Sequence, residues 1–275
     1  MTPAQALESL GRRLRGRPML LRDGPVAVSW RVQLPGEGTA VLRVDHRAHV
    51  SGPQGGNQLT VPGFRGNALG LDRALEYRLL GQLAPAGLAP SPLAADPARG
   101  LLLRAWVPGH TWDDGPVPGI DQAAAALARV HSFALPPGEI PIRDWPATIA
   151  RYAALAGPAG ANATAQARAA LALLPPADPA AAVLCHHDPL PANVLGNGLF
   201  LDWEYALAGN PLFDLAVLGL GLGLPRPGQW SRLAAAWGAH RPGGAVATRH
   251  LPGWVEFAHA VGQLWSAVIV GQSWA

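Results

Sequence analysis

The chain has 275 residues, 49% of them hydrophobic, and a net charge of +3, which is enough apolar material for a proper core. A single cysteine, Cys185, excludes a disulfide framework, and all 21 basic residues are arginine, so no Walker A phosphate loop is possible without its lysine. No amino-terminal apolar stretch reads as a signal peptide, and the longest apolar run, Leu212 to Leu224, is interrupted by Asp214 and too short to span a bilayer; a soluble, cytoplasmic protein is expected.

A first helix is expected at the amino terminus, with Arg12-Arg13-Leu14-Arg15-Gly16-Arg17 as a solvated helix face; without interleaved aromatics the cluster does not read as a nucleic-acid site. Val26 to Leu34 then alternates strictly, with Val26, Val28, Trp30, Val32 and Leu34 on one face, which predicts a half-buried strand. Pro35-Gly36-Glu37-Gly38 turns the chain, and Thr39 to Val44 returns as a second strand in which Arg43 points away from Leu42 and Val44. Residues 51–70 read as a long mobile loop. In the segment Leu71 to Leu80 the leucines at 71, 75 and 79 fall four apart, which predicts a helix carrying Glu76.

Leu101 to Val107 reads as a further strand, followed by Pro108-Gly109. Beyond it the chain turns helical: Asp121 is expected to cap an alanine-rich helix through His131, Asp144 with Pro146 opens a second, and Asn162 opens a third that stops before Pro175-Pro176. Further helices are expected near 229–240 and 252–270, the last with an apolar stripe of Trp254, Phe257, Ala258, Val261, Trp265 and Val268. Gly219-x-Gly221-x-Gly223 follows a helix and not a strand, so it reads as packing glycine rather than a dinucleotide fingerprint.

The chemistry-bearing residue types gather in 183–216. Val194-Leu195 and Leu199-Phe200-Leu201 flank an Asn-Gly pair, which predicts a hairpin with Asn197-Gly198 as its two-residue loop. In that register Asn193 faces Asp202, roughly 4.5 to 5.5 Å apart at Cβ, so an amide oxygen and a carboxylate can share one divalent cation. Asp188 stands on the segment leading into the same strand, where a carboxylate beside a metal site can take a proton from a substrate hydroxyl. Glu204, two residues past Asp202, falls on the same face if the strand continues and is a further candidate. Cys185-His186-His187-Asp188 as a transition-metal site is disfavoured, because adjacent residues of one strand point to opposite faces.

His186-x-Asp188-x-x-x-x-Asn193, followed by Asp202-Trp203-Glu204-Tyr205-Ala206 and Asn210-Pro211-Leu212-Phe213-Asp214-Leu215-Ala216, resembles the aminoglycoside phosphotransferase and choline kinase superfamily, small-molecule relatives of protein kinases. The Asp-Trp-Glu-Tyr-Ala string is most similar to bacterial thiamine and choline kinases. The resemblance implies an α+β, two-lobed protein-kinase-like fold, with a nucleotide-binding lobe over 1–104 and a catalytic, substrate-binding lobe over 105–275. It implies Asp188 as catalytic base, Asn193 and Asp202 as magnesium ligands, Asp214 as the anchor of the catalytic loop and His186 as internal support. Arg43 stands where most members carry lysine and would hold the phosphates of ATP, paired with Glu76. His187 stands where the family usually has glycine.

For the acceptor, five of the ten tryptophans lie after residue 225 and Glu256 is the only acid beyond Asp214, a composition that suits one quaternary nitrogen better than a polycationic aminoglycoside. Tryptophans at helical spacing are also simply core residues. Thiamine is the first expectation, with choline, ethanolamine or an aminoglycoside as alternatives. A catalytically weak binding protein on the same fold is the competing class.

Overall fold

The computed structural model describes residues 1–46, 65–134, 138–241 and 248–271. The chain divides into two compact units at Pro108 and Gly109, four residues past the boundary expected from the sequence.

In the first unit, α1 (Pro3–Ser9) is closed by a Thr2 and Gln5 capping box, and β1 (Arg15–Asp23), β2 (Ala27–Leu34) and β3 (Gly38–Asp45) follow. Next come α2 (Arg65–Leu69), α3 (Arg73–Leu83), β4 (Pro92–Asp96) and β5 (Leu101–Ala105). The five strands form one antiparallel sheet in the order β1-β2-β3-β5-β4. The alternation read in the sequence becomes two faces. Val32, Leu34, Ala40, Leu42, Val44, Leu101 and Leu103 pack with Ala6 and Leu7 of α1 on one, while Arg43 and Asp45 project from the other.

The arginine cluster at 12–17 is not a helix face. Its last residues begin β1, an edge strand exposed along almost its whole length and interrupted by two register shifts. A strand solvated on both faces leaves no period-2 pattern to read, and its Pro18, which has no N–H, is tolerated at an edge. Of the loop expected at 51–70, positions up to 64 lie outside the described residues, and its end forms the short α2.

The second unit contains α4 (Ile120–His131), α5 (Trp145–Ala156), α6 (Ala161–Ala172), a two-stranded sheet of β6 (Val183–Cys185) and β7 (Leu207–Gly209), then α7 (Pro211–Gly221), α8 (Pro227–Ala239) and α9 (Leu251–Gly271). Asp144 caps α5 as expected, accepting from the Ala147 amide at 2.9 Å. Asp121 does not cap α4; Gly119 holds that position, and Asp121 sits inside the first turn where its carboxylate pairs with Arg232 of α8. Asn162 likewise lies within α6, whose cap position is Gly160. The helix α9 runs through the middle, packed against α5, α6 and α7, with Trp254, Phe257, Leu264 and Val268 buried along its inner side. Among the described residues no helix is long and apolar enough to cross a membrane.

The glycines at 219 and 221 are packing glycines. A Cβ on Gly219 would lie 2.3 Å from the Trp230 ring, and one on Gly221 would lie 2.6 Å from Pro191. The Trp230 indole is itself held by a hydrogen bond to the Leu224 carbonyl at 3.2 Å, so it cannot step aside cheaply. Gly219→Ala is therefore expected to cost about 1–3 kcal/mol in denaturant unfolding, and Trp230→Leu in the same chain should recover most of that loss.

Candidate functional site

The strand β6 delivers His186, His187 and Asp188 into a loop whose backbone is held by one carboxylate. Asp214, on the first turn of α7, is fully buried; its Oδ2 accepts from the His186 amide at 2.7 Å and its Oδ1 from the His187 amide at 2.9 Å. The sequence directs this locally: Asn210 caps α7 by accepting from the Leu212 amide, and Pro211 fits the first turn, which fixes where Asp214 points. Burial pushes the Asp214 carboxyl up, but its hydrogen bonds and neighbouring imidazoles win and hold it below the usual carboxylate range. A third donor is the His131 Nε2 at 3.1 Å, and the His131 Nδ1 in turn accepts from the Trp237 indole at 3.0 Å. That indole contact assigns the imidazole proton to Nε2, which is the nitrogen facing Asp214.

The loop's own residues lock one another. His186 donates from Nε2 to the Leu201 carbonyl at 2.7 Å, and its Nδ1 receives the Asp188 amide at 3.3 Å. Asn193 donates from Nδ2 to the Asp188 carboxylate at 2.7 Å and to the Asp188 carbonyl at 3.0 Å. With the amide nitrogen committed to Asp188, the Asn193 oxygen is the side left for a cation, an assignment made from the hydrogen-bond pattern.

The hairpin after Asn193 differs from the sequence expectation. Val194 bridges Phe200, the Leu195 amide donates to Leu199, and the Leu201 amide donates to Asn193. The loop is thus three residues, Gly196-Asn197-Gly198, with Gly198 in the left-handed region at φ 78°. The register moves by one, so Asn193 faces Leu201 and Asp202 is the next residue along. Asp202 is itself left-handed at φ 58° and ψ 63°, a conformation uncommon for a residue with a Cβ and often retained where a side chain must be aimed. The chain then enters a 3-10 turn over Trp203–Tyr205, so Glu204 does not continue a strand face shared with Asp202. Asn193 and Asp202 offer oxygen donors of the kind hard cations such as magnesium take.

His187 has a left-handed backbone, φ 63°, a conformation that glycine adopts most readily. Its ring is buried between Trp145 and Phe213, with centroids 5.6 Å from each, and neither ring nitrogen has a hydrogen-bond partner. A Cβ on Gly209 would lie 2.9 Å from its Nε2, so the glycine of β7 makes room for the ring. Burial first, then Arg143, drops the imidazole pKa to about 3. A transition metal at His131, Cys185 and Asp214, whose donor atoms lie within 4.8 Å of one another, is disfavoured because both His131 nitrogens and both Asp214 oxygens already have hydrogen-bond partners.

In the first unit, Arg43 and Glu76 meet as expected, by two parallel hydrogen bonds of 2.7 and 2.6 Å. The sequence reading missed the other half of this cluster. Arg73 grips Asp45 through Nε at 2.6 Å and Nη2 at 3.0 Å, and reaches Glu76 at 3.0 Å. Burial raises the Glu76 pKa, but Arg43 and Arg73 outweigh it and hold the carboxyl low. The signal was available: Asp45 shares the strand face of Arg43, and Arg73 precedes Glu76 by one helical turn. Of the carboxy-terminal tryptophans, Trp237 and Trp254 are buried core, while Trp265 is half-buried between Tyr152 and Tyr205 with centroids 5.6 and 5.9 Å away. Two of the five thus provide packing rather than a wall for an acceptor.

Two measurements follow from these buried charges. Arg73→Met leaves Asp45 buried with its bidentate partner gone, and a loss of about 3–5 kcal/mol in unfolding free energy is expected. For His187, the unfolded chain binds a proton below its ordinary pKa of 6.5 and the folded chain only near 3, so stability is complete above pH 6.5 and falls as pH drops toward 3. Between pH 6.5 and 5 the wild type should lose about 2 kcal/mol more than His187→Asn, a side chain that tolerates the same backbone.

A profile described as the phosphotransferase enzyme family matches residues 28–247. No curated protein matches. Among solved structures, the chain is similar to a choline/ethanolamine kinase family protein from Mesorhizobium loti, with 23% identity, TM-score 0.60, and 92% of this chain and 79% of that chain covered. It is also similar to choline kinase from Streptococcus pneumoniae, at 17% identity and TM-score 0.62 over 93% and 87% of the two chains. A spectinomycin phosphotransferase solved with ADP and spectinomycin matches at 14% identity and TM-score 0.61 over 99% and 91%. Strands and helices mix as in those α+β, protein-kinase-like folds, and the match over residues 28–247 makes the chain a member of the phosphotransferase enzyme family.

Proposed function

We propose that the chain transfers the γ-phosphoryl group of ATP, with magnesium, to a hydroxyl of a small metabolite. The observation that carries this reading is the Asp188 carboxylate held by the Asn193 amide on a loop whose backbone is pinned by Asp214. Such a carboxylate, fixed and half-buried, is suited to orient an alcohol and accept its proton. The hydroxyl oxygen forms the new P–O bond, the bond to the departing ADP oxygen breaks, and the hydroxyl proton passes to Asp188. Asn193 and Asp202 would hold magnesium, which when bound neutralises charge on the phosphates. Arg43, oriented by Glu76, would supply fixed positive charge to the phosphates in place of the usual lysine.

His186 and Asp214 act through the loop and are positioning residues. Glu204, beside Tyr205 on the 3-10 turn, is assigned to the acceptor side rather than to the metal. Thiamine, choline, ethanolamine, homoserine and kanamycin span the acceptor chemistries that the sequence and the fold leave open. The arginine at 43 is what keeps a weak nucleotide-binding protein as the second reading.

The test is magnesium-dependent ADP release across those five acceptors, with Asp188→Asn as control. Turnover with one acceptor is expected, and the variant should lose at least about a hundredfold in rate while its ATP affinity changes less than about twofold. Loss of ATP binding in the variant would count against Asp188 as the base. Measurable ATP binding with no turnover on any acceptor would favour the second reading.

A further inference from the structure

Arg143 is a cation with no counter-ion among the described residues. The residue precedes α5 and is fixed at the backbone by its amide on the Ala208 carbonyl at 2.8 Å. Its Nη2 donates to the Tyr205 carbonyl, and its guanidinium carbon lies 5.7 Å from the Trp145 ring centroid. No carboxylate lies within ion-pairing distance of it among the described residues, and its Nε is buried without a hydrogen-bond partner. A partly buried guanidinium without an anion is costly, and one hydrogen bond to a neutral carbonyl with one aromatic face does not replace the missing charge. Burial accordingly lowers its pKa.

A second unpartnered group belongs to the residue whose carbonyl Arg143 binds. The Tyr205 hydroxyl is buried with no hydrogen-bond partner, although phenols in protein interiors ordinarily find one. Tyr205 follows Glu204 directly and packs on Trp265, which packs on Tyr152. Burial pushes both phenols up, Tyr152 to about 12 against the opposing charge of Arg143. The corner adjoins the Asp188 loop through Trp145, which carries Arg143 on its ring and lies with its centroid 5.6 Å from that of His187. A guanidinium and a phenol donor, each short of a partner and both adjoining the Asp188 loop, match an acceptor that brings its own negative charge.

We propose that Arg143 determines acceptor specificity, and that the acceptor alcohol carries an anionic group, carboxylate or phosphate, which the guanidinium binds. This rests on the phosphotransferase reading above and adds the acceptor's charge. It points away from choline, ethanolamine and thiamine, which have no anion to offer, and toward hydroxy acids or phosphorylated alcohols.

The experiment is calorimetric binding to the intact chain with ADP and magnesium present, using two pairs of probes that differ only in the anion. L-Homoserine is compared with 3-amino-1-propanol, and glycerol 3-phosphate with glycerol. The anionic member of one pair is expected to bind at least about tenfold more tightly, the scale of a charge-assisted hydrogen bond, and which pair responds tells carboxylate from phosphate. Arg143→Gln should erase that preference without lowering the unfolding temperature, and Arg143→Lys should restore part of it, so the two variants together cover a failure of either to fold. Equal binding within both pairs, binding of neither member, or a preference that survives in Arg143→Gln would overturn the inference. ADP release by the wild type and its loss in Asp188→Asn are scored on the same preparations. Absent anion preference with intact turnover therefore removes this inference alone.

Discussion

The buried carboxylate of Asp214 is the contact on which the rest of the 186–193 loop depends. It gathers the amides of His186 and His187 and the imidazole of His131, and so ties α7, α4 and the end of β6 to one point. A buried anion of this kind is tolerable only when its oxygens are satisfied, and satisfaction here requires the loop to adopt one backbone path. The left-handed turn at His187 is part of that path. Its strain is offset by the two amide bonds and by burial of the imidazole between Trp145 and Phe213.

From that fixed point order passes outward through short contacts. His186 bridges the Leu201 carbonyl and the Asp188 amide, Asn193 closes on the Asp188 carboxylate, and the one-residue change of hairpin register sets Asp202 just past the pairing. Of these contacts the Asn193 bond to the Asp188 carboxylate is charge-assisted and the strongest in kind. The first unit has a comparable device of different composition. Arg43, Glu76, Arg73 and Asp45 alternate in charge, and the second arginine, Arg73, joins Asp45 to Glu76 across the gap between strand and helix. Such a cluster gives Arg43 a defined orientation, which a lone guanidinium on a strand would lack.

The corner proposed for the acceptor is less ordinary. Where a quaternary-ammonium site would place carboxylates and aromatic faces, this corner sets a guanidinium, Arg143, against the Trp145 ring. The tryptophans that tilted the composition toward a cationic acceptor are partly core, with Trp237 committed to His131 and Trp254 buried against Phe213 and Phe257. The charge of the acceptor is therefore better read from Arg143 than from the tryptophan content.

By itself the sequence determined the half-buried strands, whose alternation survives as the two faces of the sheet, and the spacing of Asp188, Asn193, Asp202 and Asp214. The Arg43 and Glu76 pairing was legible too, as an implication of the resemblance, and the two side chains do meet. What it did not carry was anything set by closure of the chain on itself. The edge strand β1 was unreadable because solvent on both faces removes the periodic signal. The hairpin register was misread because the second glycine of Gly-Asn-Gly, at 198, takes the left-handed position of a three-residue loop, and local sequence does not separate that from a two-residue turn. Asp121 found its ion-pair partner, and Arg143 found none among the described residues, only once distant segments met. Ion pairing and burial are properties of those meetings, and no local pattern of residues encodes them.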